Sequence, residues 1–350
     1  MSTGTTIEWA DAVWNPVRGC SIVSKGCTNC YAMRQAHRFS GSGKPYEGLT
    51  KLTKGGPVWT GKVRLVPELL DAPLHWKKPR RIFVNSMSDL FHGDVPDEFI
   101  DKVFAVMALC TQHTFQVLTK RPERMLSYMK RLGSSAKLLD AGARSLGYTL
   151  EFQGVYFACW PLQNVWLGVS VEDQAAADER IPLLLQTAAA VRWVSAEPLL
   201  GPVSLRWLAA WDGKALKPGG PGTETNELDG LRELNWVVVG GESGPGARPS
   251  HPDWFRSLRD QCAAAGVSYF FKQYGAWAPI PWMNVGPSAR YVAAGDAMVA
   301  RDGRVDYVAQ NLGITELESE PRTYVSPMRN VGKRAAGRLL DGRTHEEYPQ

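Results

Sequence analysis

Short apolar runs alternate with amphipathic stretches along most of this chain, and each run closes on polar residues or glycine. Residues 81–90 (Arg-Ile-Phe-Val-Asn-Ser-Met-Ser-Asp-Leu) are predicted as a strand with a polar end, followed by a helix over 95–109 opened by Pro96, Asp97 and Glu98. A strand over 114–120 precedes a helix over 122–131, and a strand over 165–171 precedes a helix over 173–187, where Ile181, Leu184 and Leu185 supply the apolar face. The run 191–197 is a strand cut off by Pro198; 234–240 is nearly continuously apolar; a helix over 253–265 and a strand over 267–273 complete the series. Unbroken apolar runs belong to strands buried on both faces, as in a parallel sheet covered by helices.

Repeated strand–helix units of this size point to the α/β class, as a full or partial (β/α) barrel of parallel strands with insertions. Three segments break the pattern: 40–61 reads as a loop, 134–161 as an insertion, and 211–226, rich in Gly, Pro and Thr, as a surface loop. The expected division is a barrel over 1–281 and a small C-terminal extension over 282–350 packing on it.

In such a fold the chemistry collects at the C-terminal ends of the strands. The polar residues there are Asn85, Ser86, Ser88 and Asp89; Thr119 and Lys120; Ser170, Glu172 and Asp173; Ser195 and Glu197; Gly240-Gly241-Glu242; and Lys272 and Gln273. Asp89 and Asp173 also suit helix N-caps, and Lys120 a solvated surface. Glu197, wedged between an apolar strand and Pro198, needs a partner, which makes it and Lys120 the catalytic candidates. Glycines at 240 and 241 would let a ligand approach the backbone, with Glu242 able to hold an ammonium or a ribose hydroxyl. A turn alone would also want them.

Cysteines change the picture most. Cys20, Cys27 and Cys30 form a C-x6-C-x2-C cluster within eleven residues. Three thiolates can hold three irons of a 4Fe-4S cube and leave the fourth open to a ligand, whereas structural metal sites fill every position. The alternatives are a zinc knuckle completed by His37, and a redox or incidental cluster. Cys110, Cys159 and Cys262 stand singly in apolar segments, which fits reduced thiols rather than disulfides.

A chain of 350 residues, 44% hydrophobic and 21% charged, is ordinary globular material. It has no apolar run of ~18 residues and no signal-peptide pattern near Met1, so a cytoplasmic protein without a membrane partner is expected. Net charge is only +5, but basic residues gather at 77–81, at Lys120, Arg121 and Arg124, and over 329–343. These are solvated faces or phosphate-binding surface. Among the 13 tryptophans, Trp9, Trp14, Trp59, Trp160, Trp277 and Trp282 are expected to be exposed and available for stacking.

Several segments resemble the phage-associated three-cysteine-motif family, relatives of the radical S-adenosylmethionine (SAM) enzymes and, more distantly, of spore photoproduct lyase. They are Trp14-Asn-Pro-Val-Arg-Gly-Cys20, Cys27-Thr-Asn-Cys-Tyr31, Asn85-Ser-Met-Ser-Asp-Leu-Phe-His92, Leu118-Thr-Lys-Arg121, Gly168-Val-Ser-Val-Glu172, Ser195-Ala-Glu-Pro198, Gly240-Gly-Glu-Ser-Gly244 and Gly337-Arg-Leu-Leu-Asp-Gly342. The resemblance implies a 4Fe-4S cluster on Cys20, Cys27 and Cys30, SAM on its open iron, an external electron donor, and reductive cleavage to a 5′-deoxyadenosyl radical. It places Tyr31 against the cluster or adenine, Asn85 and Ser86 at the SAM amino group, and Ser170, Glu172, Gly240, Gly241 and Glu242 around the cofactor. Two features depart from the commonest pattern of those enzymes: a first cysteine spacing of six rather than three, and a Gly-Gly-Glu element that falls late in the chain. The expected substrate is a nucleic acid or nucleotide; the runner-up is a zinc-stapled nucleic-acid-binding protein without catalysis, and a further rival is a hydrolase or lyase using Glu197 and Lys120.

Overall fold

A computed structural model describes residues 5–150, 160–206, 208–209, 227–280, 293–308, 321 and 324–350. Seven strands lie in chain order in one sheet: β1 (Ala12–Trp14), β2 (Arg81–Val84), β3 (Thr114–Thr119), β4 (Val165–Ser170), β5 (Val191–Ala196), β6 (Trp236–Gly240) and β7 (Ser268–Gln273). Parallel registers such as Trp14↔Val84, Val84↔Val117, Thr119↔Val169 and Gly240↔Gln273 align the C-terminal ends of paired strands. The fold is therefore α/β, with the strand order of a partial (β/α) barrel.

The chain divides into two compact units, one of Met1–Ser170 with Leu183–Trp193, the other of Val171–Pro182 with Val194–Gln350. In the first, α2 (Asp97–Leu109, after α1 at Tyr31–His37) buries nine residues, and Asp97 and Glu98 in its first turn favour the positive end of its dipole. Pro122 opens α3 (Pro122–Gly133), where a missing N–H costs nothing, and Met125, Leu126, Met129 and Leu132 form its buried stripe. Residues 134–161, expected as an irregular insertion, carry α4 (Ala136–Ser145) against α2, while 151–159 lie outside the described residues.

The segment 40–61 is not simply a loop. Thr50–Thr53 and Gly56–Trp59 pair as an antiparallel hairpin, closed by the turn at Lys54-Gly55 and followed by Gly56 at φ 110°. Only Trp59 of the hairpin is buried, so its alternation was too weak to mark strands in the sequence.

In the second unit β6 is buried at every position, as an unbroken apolar run requires. It also contains α5 from Gln174 to Pro182, within the helix Gln174–Leu185. Helix α6 (Pro252–Ala265) starts behind the His251 cap and stops at Gly266, whose left-handed φ of 69° suits glycine. The loop expected at 211–226 and the expected boundary at 281/282 fall outside the described residues. A four-stranded antiparallel sheet follows, ordered Trp277–Pro279, Val325–Asn330, Ala297–Ala300, Val305–Tyr307. The C-terminal segment returns to β7, where the Phe271 amide donates to the His345 carbonyl at 2.9 Å.

Candidate functional site

Beyond β1 the chain makes a short antiparallel contact, Val17–Arg18 with Arg64–Leu65, and then turns at Gly19. With φ +87° and a Cβ position only 2.4 Å from the Lys62 carbonyl oxygen, no other residue fits there without rearrangement. Cys20 follows at once. Cys27 ends a 3-10 turn (Lys25–Cys27), and Cys30 is the N-cap of α1. All three cysteines are free and half-buried. Cys20 and Cys30 pack on a small apolar cluster of Ala32, Met33, Ala36, Leu49, Trp59 and Met87.

Burial pushes the Cys20 thiol up to about 12, Asp89 adding to the shift and Arg121 opposing it. Burial also raises Cys30, against the amides of Ala32 and Met33. Each of these two thiols feels Cys27 electrostatically, so the three lie in one neighbourhood. Among the described residues, however, no three His, Cys, Asp or Glu side chains are gathered closely enough to hold a metal ion as they stand. By chemistry, three half-buried thiols on one loop are a donor set that fits an iron–sulfur cluster.

Around that loop the ends of β2, β3 and β4 supply a polar network. Tyr31, 53% exposed, donates its hydroxyl to the Ser86 carbonyl at 2.8 Å, and Ser86 Oγ donates to Asn15 Oδ1 at 3.2 Å. Asn85 makes the turn after β2 with φ 60°, and its Oδ1 accepts the Val17 amide. It is buried, and its Nδ2 has no hydrogen-bond partner among the described residues. Lys120 donates to Ser170 Oγ through a very short hydrogen bond.

Asp89 does not cap a helix, since Pro96 is the N-cap of α2. Its carboxylate accepts from Thr119 Oγ1 (2.8 Å), the Phe91 amide (2.9 Å) and Arg121 Nη1 (2.7 Å). Arg121 Nη2 donates to Ser21 Oγ at 2.7 Å, and that hydroxyl meets His92 Nε2 at 3.0 Å. Arg121 and His92 are thus site residues that strand-end counting missed. The repeated polar ends of Asn85–His92 and Leu118–Arg121 were the available signal.

The second unit holds the remaining candidates. Glu172 is 1% exposed, and both its oxygens are engaged by Arg180, itself buried, at 3.0 and 3.4 Å. Glu242 is similarly committed to Arg248, at 2.6 and 2.8 Å. Glu197 Oε1 meets Lys272 Nζ at 3.0 Å, and Oε2 accepts from Ser195 Oγ at 3.2 Å; both charged side chains stay partly exposed. A Cβ on Gly241 would lie 1.9 Å from the Tyr274 carbonyl oxygen, and one on Gly240 2.8 Å from Glu197 Oε1. The close approach that requires these glycines is made by the chain itself. Asp173 caps α5, Oδ1 accepting the Ala176 amide at 3.0 Å.

The expected exposure of the tryptophans needs correction. Trp9, Trp14, Trp59 and Trp277 are buried at 6% exposure or less; Trp9 packs edge-on against Phe83 and Trp193, and Trp14 Nε1 donates to the Leu69 carbonyl. Trp160 is half-buried, and Trp282 lies outside the described residues. The basic run 77–81 precedes β2, at the opposite end of that strand from Asn85 and Ser86, with Arg81 paired to Asp11 and Arg80 stacked over Trp76.

Among the described residues, no helix is long and apolar enough to cross a membrane. No curated protein and no solved structure matches this chain. One family model matches residues 4–349, nearly the whole sequence: the chain belongs to the DUF5131 family, described as a protein of unknown function.

Proposed function

We propose that this chain is an iron–sulfur enzyme of the radical SAM type, acting on a nucleic acid or nucleotide. The observation that carries the reading is the placement of three free, half-buried cysteines on one loop directly beyond the first strand of a parallel α/β sheet. Cys20, Cys27 and Cys30 would hold the cluster, and Tyr31, Ser86 and Lys120 are the accessible polar neighbours that would position a cosubstrate. A cluster held there would supply one-electron reduction of SAM, with an external donor as the source of the electron and a radical as the outcome.

The chain's own residues bind and orient. Arg121 fixes the loop through Ser21 and offers a charge beside Cys20, while the apolar cluster behind Cys20 and Cys30 keeps water from that side. Lys120, bonded to Ser170, is the group proposed to handle protons beside the cysteine loop; Glu197 with Lys272 is a separate candidate of the second unit. The ligand roles expected of Glu172 and Glu242 are weakened by their ion pairs with Arg180 and Arg248.

The zinc-staple alternative needs His37 as fourth ligand. His37 sits at the far end of α1 from Cys30, about 10 Å along the axis at 1.5 Å per residue, and is held there by Thr50 and Ser40.

Anaerobic reconstitution with iron and sulfide tests the reading. The wild type should take up about four irons and four sulfides per chain and, with a reductant, convert SAM to 5′-deoxyadenosine; Cys27→Ala should do neither. Full iron retention by Cys27→Ala, or tight zinc with no iron uptake by the wild type, would overturn it.

A further inference from the structure

Charge and exposed apolar surface are concentrated in one part of the molecule. Residues 18–64 carry nine Lys/Arg against one acid, Glu47, a net +8; the whole chain carries +5, so everything else sums to −3. Seven of the nine basic residues are exposed, five of them lysines, at 25, 44, 51, 54 and 62. Five of the eight exposed large hydrophobic side chains among the described residues also fall here: Ile22 (53%), Val23 (43%), Tyr31 (53%), Phe39 (47%) and Leu52 (70%).

These residues belong to one lobe. The hairpin packs on α1 through the cluster of Met33, Ala36, Leu49 and Trp59, and the Trp59 amide donates to Met33 Sδ at 3.3 Å. The same cluster backs Cys20 and Cys30, so the cysteine loop is part of the lobe. Its six-residue first spacing places Ile22, Val23 and Lys25 in solvent. A merely solvated face would have no reason to collect apolar side chains with its charge.

We propose that residues 18–64 form a docking surface for single-stranded polynucleotide, which delivers a base towards the cysteine loop. This rests on the substrate half of the reading above and not on the cluster. Net charge of +8 on one lobe is the electrostatic footprint of a polyanion site. Exposed aromatic rings supply stacking faces that unpaired bases need, and Tyr31 is pre-organised by its bond to Ser86. An anionic bilayer is the poorer fit: α1 turns Ala32, Met33 and Ala36 inward and offers no apolar stripe to lie in an interface.

The test is a titration of full-length protein with a fluorescent single-stranded oligonucleotide at several salt concentrations, independent of iron content. Lys51→Glu/Lys54→Glu, on the exposed hairpin, should weaken binding by roughly ten-fold or more at low salt and flatten the log–log salt slope by about 1.4, two contacts at about 0.7 each. Phe39→Ala should weaken it by about five-fold or more with the slope unchanged. Lys77→Glu/Lys78→Glu, before β2, should bind like wild type. The proposal fails if the wild type does not bind the oligonucleotide at low salt, if it prefers duplex or phosphatidylserine vesicles, or if the 77/78 variant loses as much as the 51/54 variant. Binding with no iron uptake would sink the radical reading and leave this surface standing.

Discussion

Arg121 Nη1 lies 2.7 Å from Asp89 Oδ2 and 3.9 Å from Cys20 Sγ, so one guanidinium joins the acid behind β2 and β3 to the cysteine loop. Both partners are well buried, with side chains 16% and 7% exposed. The arrangement couples the geometry of the loop to the ends of two strands.

Removing Asp89 should therefore cost more than removing Arg121. Asp89→Ala strands a buried guanidinium and takes the acceptor from Thr119, Phe91 and Lys120, an expected loss of about 3–5 kcal/mol. Arg121→Met leaves Asp89 with those three donors and should cost roughly 1–3 kcal/mol. Denaturant unfolding of the two variants at neutral pH checks the order; the reverse order would show that Asp89 is not the hub.

Sequence periodicity located strands β3 to β7 and helices α2, α3, α5 and α6 to within a few residues, because each has a buried stripe long enough to show its period, whereas the strand expected over 81–90 stops at Val84, where Asn85 turns the chain. The hairpin at 50–59 escaped because its face is mostly exposed. Candidate site residues were legible as polar strand ends, but their partners were not. Nothing in the spacing of Glu172 and Arg180, or of Glu242 and Arg248, says which strand-end acids are consumed by a neighbouring arginine. Tryptophan exposure was misjudged for a related reason: one large side chain near a loop can be core whenever the loop folds back over the sheet.

Acid should destabilise the protein through its buried histidines. Burial, with Arg301 and Arg256, holds His251 down to about 4 despite Asp253, and His92 and His113 are lowered by burial as well. His251 Nδ1 accepts the Asp253 amide at 3.0 Å as the cap of α6, a bond that only the neutral ring can accept. A histidine whose folded pKa is depressed binds its proton more readily in the unfolded chain, where the pKa is about 6.5. Its contribution is complete above about 6.5 and is lost as pH falls towards 4, at up to about 1.4 kcal/mol per unit. His251→Asn keeps a capping acceptor without a titrating group, so its stability should fall less steeply over that window. Parallel pH profiles for variant and wild type would remove His251 as a cause.

The Glu172–Arg180 pair separates a structural role from a ligand role. Both side chains are only 2% exposed and meet at 3.0 Å, so each has been taken out of water at a cost that its partner offsets. Removing one partner leaves an uncompensated buried charge: Arg180→Ala and Glu172→Ala should each cost about 3–5 kcal/mol. Replacing both with apolar groups of similar size, Glu172→Leu with Arg180→Met, should recover most of that loss, because the desolvation penalty disappears along with the attraction. A ligand-binding Glu172 predicts something else: Glu172→Leu/Arg180→Met would then be stable yet bind SAM more weakly, with calorimetric affinity down by about 1–3 kcal/mol. Unfolding and calorimetry on this double variant therefore decide between them. Recovered stability with unchanged affinity assigns the pair to the scaffold alone.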